Sequence, residues 1–337
     1  MVVSIRPQPR CRSAFVRDEP VSPWRWMGLQ GRTSSEGLLV TAVRWFTNRP
    51  SGWRRAALQS SALGSALALA WWLLQEVQLS SWPDALARVP LIWWPVATLA
   101  WLGGYAVRAR RLQQEWAHRA IVPWGRCLAL VLQHNAAVLL MPMRLGEAGY
   151  VVGVVRQWGV GLAEAGLSLF RMRVQDAVVL GLLGLAWLVP GGALMAASLV
   201  LLVFLVRWRV LRRRPVSQGT GVRLQTVLTS AGWGWSVLNW TLRLAVLGGW
   251  LVILSSSQPS VAIGIAVGAE TGALWPLQGP AGLGPFEAGA WAAAAWLGDV
   301  PPGLVDAALM AHLFCVVVAL SAAAWSLWVK PGPTLAR

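Results

Sequence analysis

The run VPLIWWPVATLAWLGGYAV, Val89 to Val107, holds 19 consecutive residues without a formal charge. As a helix at 1.5 Å per residue it is about 28 Å long, close to the hydrocarbon thickness of a bilayer. A second run, AALQSSALGSALALAWWLLQ, Ala56 to Gln75, precedes it with 20 uncharged residues. Between the two, Glu76 to Arg88 carries a net charge of −1, whereas Arg54 and Arg55 before the pair and Arg108 to Arg126 after it are basic. Positive flanks stay in the cytoplasm, so this pair predicts an external loop near Asp84 and cytoplasmic ends on both sides. It sets the fold class: an all-α, polytopic transmembrane helix bundle.

The rest of the chain repeats the pattern less regularly. Cys127 to Met143 is apolar but runs into Pro142-Met143-Arg144-Leu145-Gly146-Glu147, and Val151 to Val155 resumes the apolar character. Pro142 breaks a helical ladder and Gly146 permits a tight turn, predicting a helix, a break and a second short helix. Ala177 to Val206 is uncharged and interrupted at Pro190-Gly191-Gly192, which suits a hairpin of two spans with Arg173 and Asp176 at its start. Leu224 to Leu242 precedes Arg243, and the next run, ending at Ala269, is broken by Ser255-Ser256-Ser257-Gln258-Pro259. A further break, Pro280-Ala281-Gly282-Leu283-Gly284-Pro285, comes before Glu287. Asp299 and Asp306 flank an external turn, and Ala307 to Val329 forms the last span before Lys330. About eight spans fit, with broken or re-entrant helices near Pro142 and Pro280. The expected organisation is an irregular cytoplasmic segment over 1–55, a transmembrane domain over 56–330 and a short cytoplasmic tail over 331–337. No secretory signal is read at Met1, and the predicted location is the inner (cytoplasmic) membrane with both termini in the cytoplasm.

Composition agrees. Only 12% of the 337 residues are charged, against about 25% in soluble domains, too few to cover a core of this size with polar surface. Twenty-four tryptophans against two tyrosines favour bilayer interfaces, although Trp71, Trp72, Trp187 and Trp250 sit in apolar stretches where some must pack. The net charge of +16 raises nucleic acid as a partner. The arginines nevertheless cluster beside apolar runs, as in Arg108, Arg110 and Arg111 or Arg212 to Arg214, so they read as membrane anchors. Cys11, Cys127 and Cys315 lack metal or disulfide spacing, and no metal or cofactor is expected.

Charges inside apolar segments point to function. Glu147, Arg173, Asp176, Glu270 and Glu287 border or enter such segments, where an unpaired charge costs several kcal/mol. Each therefore pairs or faces water. Arg173 and Asp176 share a helical face, and Arg144 and Glu147 have the same spacing. A guanidinium at Arg144 or Arg173 suits an anionic headgroup. The two Pro-x-x-Leu-Gly breaks, each with a nearby Glu, fit the pattern of paired broken helices at a transporter's central site. A Ser-His-Asp arrangement cannot be assembled from His118, His134 and His312.

Three ordered stretches resemble a known family. NAAVLLMPMRLGE, Asn135 to Glu147, LFRMRVQDAVVLGLL, Leu169 to Leu183, and GPAGLGPFEAGAWAAAAWLG, Gly279 to Gly298, resemble signatures of the lysylphosphatidylglycerol synthase transmembrane region, a flippase-like family. Arg173 and Asp176 fall on the Arg and Asp of the second signature. Pro280, Gly282, Gly284 and Glu287 fall on the third. Met172, Tyr150, Ala281 and His312 depart from the usual Glu, Arg, Gly and Arg. The resemblance implies a membrane module without the aminoacyltransferase domain, since the chain ends seven residues after Lys330. It implies translocation of a phospholipid or lipid-linked anionic substrate, with Asn135, Arg144, Glu147, Arg173, Asp176 and Glu287 binding it. Pro142, Gly146, Pro280, Gly282 and Gly284 break the helices. A scaffold or accessory subunit without transport activity is the alternative, followed by a membrane-embedded enzyme acting on a lipid or polyprenyl phosphate through Glu147, Glu287 or His134.

Overall fold

The computed structural model describes residues 64, 67–69, 71–117, 120–141, 146–212, 232–275, 280–328 and 335–336, all within the unit Ser51–Arg337. Arg54, Arg55, Pro142 and Arg144 lie outside the described residues, as does most of the first apolar run. What is described is all-α: α1 (Trp82–Ala87), α2 (Trp93–Trp116), α3 (Trp124–Leu140), α4 (Glu147–Trp158), α5 (Leu162–Leu188), α6 (Gly192–Arg212), α7 (Gly232–Ser255), α8 (Pro259–Gly272), α9 (Pro285–Leu297) and α10 (Leu304–Trp328). A two-residue ladder pairs Ala120–Ile121 with Leu335–Ala336.

The expected breaks are present and have local causes. Met141, ahead of Pro142, is extended (φ −94°, ψ 129°), as a residue before proline tends to be. Gly159 closes α4 in the left-handed region at φ 66°. Pro259 and Pro285 open α8 and α9 at positions where a missing N–H costs nothing. A Cβ at Gly146 would collide with the Ala137–Val138 backbone, so glycine lets α4 return directly against α3. The same device joins α8 to α9: Gly268, Gly272 and Gly289 bring the two backbones too close for any side chain.

Among the described residues, two helices, α7 and α10, are long and apolar enough to cross a membrane, against the eight spans expected. Most of the first apolar run lies outside the described residues, and α6 counts only over Gly192–Leu201. The rest of the shortfall has two physical sources. α3, α4, α8 and α9 have 17, 12, 14 and 13 residues because the breaks divide them. α2 and α5 are long but carry charge: the helix expected to end at Val107 continues through Arg108, Arg110, Arg111 and Glu115 to Trp116. Likewise α5 begins at Leu162 rather than near Arg173, so Arg173 and Asp176 lie at mid-helix instead of anchoring an end. Trp250 packs in an aromatic cluster with Trp94 (5.1 Å) and Phe314 (4.9 Å) that ties α7 to α2 and α10. Trp71 and Trp187 are exposed instead.

Helix directions sort the ends of the bundle. The amide of Gln78 and the indole N–H of Trp82 donate to Asp306 (3.1 and 2.8 Å), so the two stretches expected to be external meet at one end. At the other, Trp235 donates to Gln114 (2.7 Å), and the ladder brings Leu335–Ala336 to the connection after α2.

Candidate functional site

A cavity of about 570 Å³ lies among α2, α3, α5, α7, α8 and α10, with Glu147 of α4, Ala281 and Gly282 of the turn, and Phe286 of α9 also on its wall. Tyr105, Asp176, Arg243 and Val316, all on its wall, sit near the middle of α2, α5, α7 and α10. The cavity is therefore at mid-depth in the four long helices. Its wall is mixed: Arg108, Asn135, Glu147, Arg173, Asp176, Arg243, Glu270 and His312 set charged and polar groups among apolar side chains.

The ion pairs differ in how tightly they are held. Arg111 Nη1 donates to Asp176 (2.7 Å), its Nη2 donates to Gln175 (2.6 Å) and the Met172 carbonyl (3.0 Å), and Ser236 donates to the same carboxylate (2.6 Å). These side chains are 6% and 11% exposed, and the arrangement cross-links α2, α5 and α7. Arg243 makes two hydrogen bonds to Glu270 (2.6 and 3.1 Å) and stacks over Trp101 at 4.3 Å. The Arg173–Glu147 pair is looser, at 3.3 Å with side chains 29% and 24% exposed. Arg173 also reaches His134 Nε2 at 3.3 Å. Arg173 and Asp176, which share a face, thus point to different partners rather than to each other.

Arg108 stands apart. Its hydrogen bond goes to the neutral Asn135 side chain (2.8 Å), whose amide N–H₂ is tied to the Val131 carbonyl (2.7 Å). Among the described residues no carboxylate pairs with it. Together with Arg111 behind Asp176, four guanidiniums meet three carboxylates here. A side cavity of about 50 Å³ continues past Arg108 and Arg173 to His134 and Tyr150.

Four of the expected binding residues, Asn135, Glu147, Arg173 and Asp176, line the cavity together. Glu287 does not. It is fully buried, accepting from the Gly284 amide (2.8 Å) and lying 2.8 Å from His312 Nδ1. A His312 tautomer protonated at Nδ1 donates to this carboxylate. Glu287 therefore braces the turn before α9, where Gly284 has φ 94° and Ala281 φ 60°, against His312 on the cavity wall. Of the other break residues, Gly282 reaches the wall. Arg108, Arg111 and Arg243 were missed from the sequence because they read as anchors or span boundaries. The usable signals were the three-residue spacing of Arg108 and Arg111 and the isolation of Arg243 between long uncharged runs.

Tyr150 lies between the Trp116 indole N–H (3.2 Å) and the Ser168 hydroxyl (3.0 Å), in the interior beside α2 and α5. No family model, curated protein or solved structure matches the chain. Among the described residues no cluster of three metal-ligating side chains occurs.

Proposed function

We propose that this chain is a multi-pass membrane translocator for a phospholipid or lipid-linked substrate with an anionic headgroup. The observation that carries the reading is the mid-depth cavity in which Arg108, among the described residues, has only a neutral hydrogen-bond partner. One of the five guanidinium donors goes to Asn135, leaving a fork suited to phosphate. Arg173 is placed to join it by exchanging Glu147, its loosely held partner, for the substrate. Arg111 and Arg243 stay locked and supply field rather than contact. Charges at mid-depth and broken helices beside them are the arrangement expected of a transport site.

The outer surface supports a bilayer setting. Leu194, Met195, Leu199, Val200 and Leu201 on α6 are all more than 40% exposed, although that helix packs chiefly against α5. A helix apolar around its circumference and not buried in protein suits lipid. The connection after α2, followed by Arg126 in the first turn of α3, shares one end of the bundle with the Leu335–Ala336 segment, which fits cytoplasmic placement of the C-terminal tail in the inner membrane. The three motifs resembling the flippase-like family favour the same activity.

A scaffold without transport would suit a sealed, apolar interior at the breaks. Here Ala281 and Gly282 border a cavity that holds charged side chains instead. The enzyme reading would use Glu147, Glu287 or His134, but Glu287 is committed to Gly284 and His312. Reconstitution with labelled anionic and zwitterionic phospholipids, read by a sidedness assay, tests the proposal. Protein-dependent movement of the anionic headgroup is expected. Movement unchanged by the protein for every headgroup overturns it.

A further inference from the structure

Tyr105 lines two cavities of opposite character. Besides the polar one it borders an apolar groove of about 670 Å³ between α2, α3 and α10. Leu102 and Ala106 of α2, Leu128 and Leu132 of α3, and Val317 and Ala322 of α10 form its walls, and no charged residue takes part. The two spaces use alternate positions of the same helices. α10 gives Val316 and Ala319 to the polar side and Val317, Val318, Ser321 and Ala322 to the apolar side. α2 divides in the same way, with Trp101 and Arg108 opposite Leu102 and Ala106.

The groove is open outward, since Val317 is 61% exposed. Its walls run from Thr98 to Ala106 and from Val317 to Trp325, each about 12 Å of helix. Trp124 at the start of α3 and Trp325 near the end of α10 stand together at one limit. They are 40% and 57% exposed, as suits indoles at headgroup level. A cavity with charged walls beside an apolar slot, with Tyr105 lining both, is complementary to an amphiphile and not to a soluble anion.

We propose that the groove between α2, α3 and α10 holds one hydrocarbon chain of the lipid whose anionic headgroup occupies the polar cavity. The inference rests on the translocation reading and adds the substrate's second half. Lipid tails are as apolar as the groove, so the groove supplies position rather than driving force. It keeps one tail alongside α10 while the phosphate sits on Arg108.

The test uses the full chain in phosphatidylcholine vesicles containing a small fraction of phosphatidylglycerol with a diazirine midway along one acyl chain. After irradiation, adducts are mapped by peptide mass spectrometry. We expect them to concentrate on the groove segments of α2, α3 and α10 and to be few on the exposed face of α6. Ser321→Trp, at an exposed position where folding is little affected, fills the groove and should abolish those adducts. Arg108→Gln should lower them about tenfold, the factor associated with one lost charge-assisted contact, and Arg108→Lys should restore part of the signal. Adducts spread equally over α6 overturn the inference. So do groove adducts that are unchanged in Arg108→Gln and equal for a phosphatidylcholine probe, because they would mark bulk lipid. A second probe with the diazirine on the glycerol headgroup separates the two readings. Headgroup adducts in the polar cavity that depend on Arg108, without groove adducts, sink this inference and leave translocation standing. Loss of both sinks both.

Discussion

Asp176→Ala removes the carboxylate that accepts from Arg111 and Ser236 at 2.7 and 2.6 Å. Arg111 then keeps Gln175 and the Met172 carbonyl but has no counter-charge, with its side chain only 6% exposed. Breaking a buried pair from one side costs about 3–5 kcal/mol. At about 2–4 °C per kcal/mol for a large domain, the apparent Tm in detergent should fall by roughly 6–20 °C. Arg173→Gln breaks a 3.3 Å pair whose side chains are 29% and 24% exposed, so its cost should stay below about 1 kcal/mol. Unfolding of such a protein is commonly irreversible, and both variants must be scanned at one rate beside the parent. A third variant, Arg111→Met with Asp176→Leu, should recover most of the loss, because an apolar pair of similar volume often replaces a buried ion pair at little cost. Equal Tm values for Asp176→Ala and Arg173→Gln would refute the division between a locked and a loose pair. Failure of the double variant to recover would show that Asp176 acts through something other than Arg111.

Four further variants have outcomes set by their local surroundings. Glu287→Gln keeps an acceptor for the Gly284 amide but loses the charge facing His312, so thermal unfolding should show a loss of about 1–3 kcal/mol. An unchanged Tm with lost transport would instead place Glu287 in the site. Gly272→Val drives a side chain into the Pro285 carbonyl and Gly289, a misfit of about 1–3 kcal/mol or more that should cut folded yield. Gly166→Ala meets open space and should leave yield and Tm unchanged or raised. Arg243→Lys cannot reproduce the stacked, doubly hydrogen-bonded contact with Trp101 and Glu270. Its Tm should fall by roughly 2–8 °C for about 1–2 kcal/mol.

Breaks were legible in the sequence because proline and glycine act locally. Met141 straightens ahead of Pro142, and Pro259 and Pro285 each open a helix where one was expected. Helix ends at charged stretches were not legible. Hydropathy stops a span at the first arginine, whereas α2 runs on to Trp116 because Arg111 finds Asp176, Gln175 and a carbonyl in other helices. Those partners are 61 to 65 residues away in the chain, beyond the reach of any local pattern. The same long-range pairing hid Arg108 and Arg243 among apparent anchors. It also carried Glu287, correctly singled out as a buried charge, to a bracing position behind the wall. Asn135, Glu147, Arg173 and Asp176 line one cavity, as expected of polar groups within apolar segments that must pair or face water, but only Asn135 and Glu147 flank the break at Pro142.

The most direct test of the account is headgroup-resolved translocation with Arg108 as the variable. Purified parent, Arg108→Gln and Arg108→Lys are reconstituted at equal density into vesicles carrying labelled phosphatidylglycerol, and accessibility of the label to an external quencher is followed with time. The account predicts protein-dependent movement in the parent, a rate about tenfold lower in Arg108→Gln, as loss of one charge-assisted contact implies, and partial recovery in Arg108→Lys. Labelled phosphatidylglycerol that crosses equally fast in all three, or no faster than in empty vesicles, would contradict it.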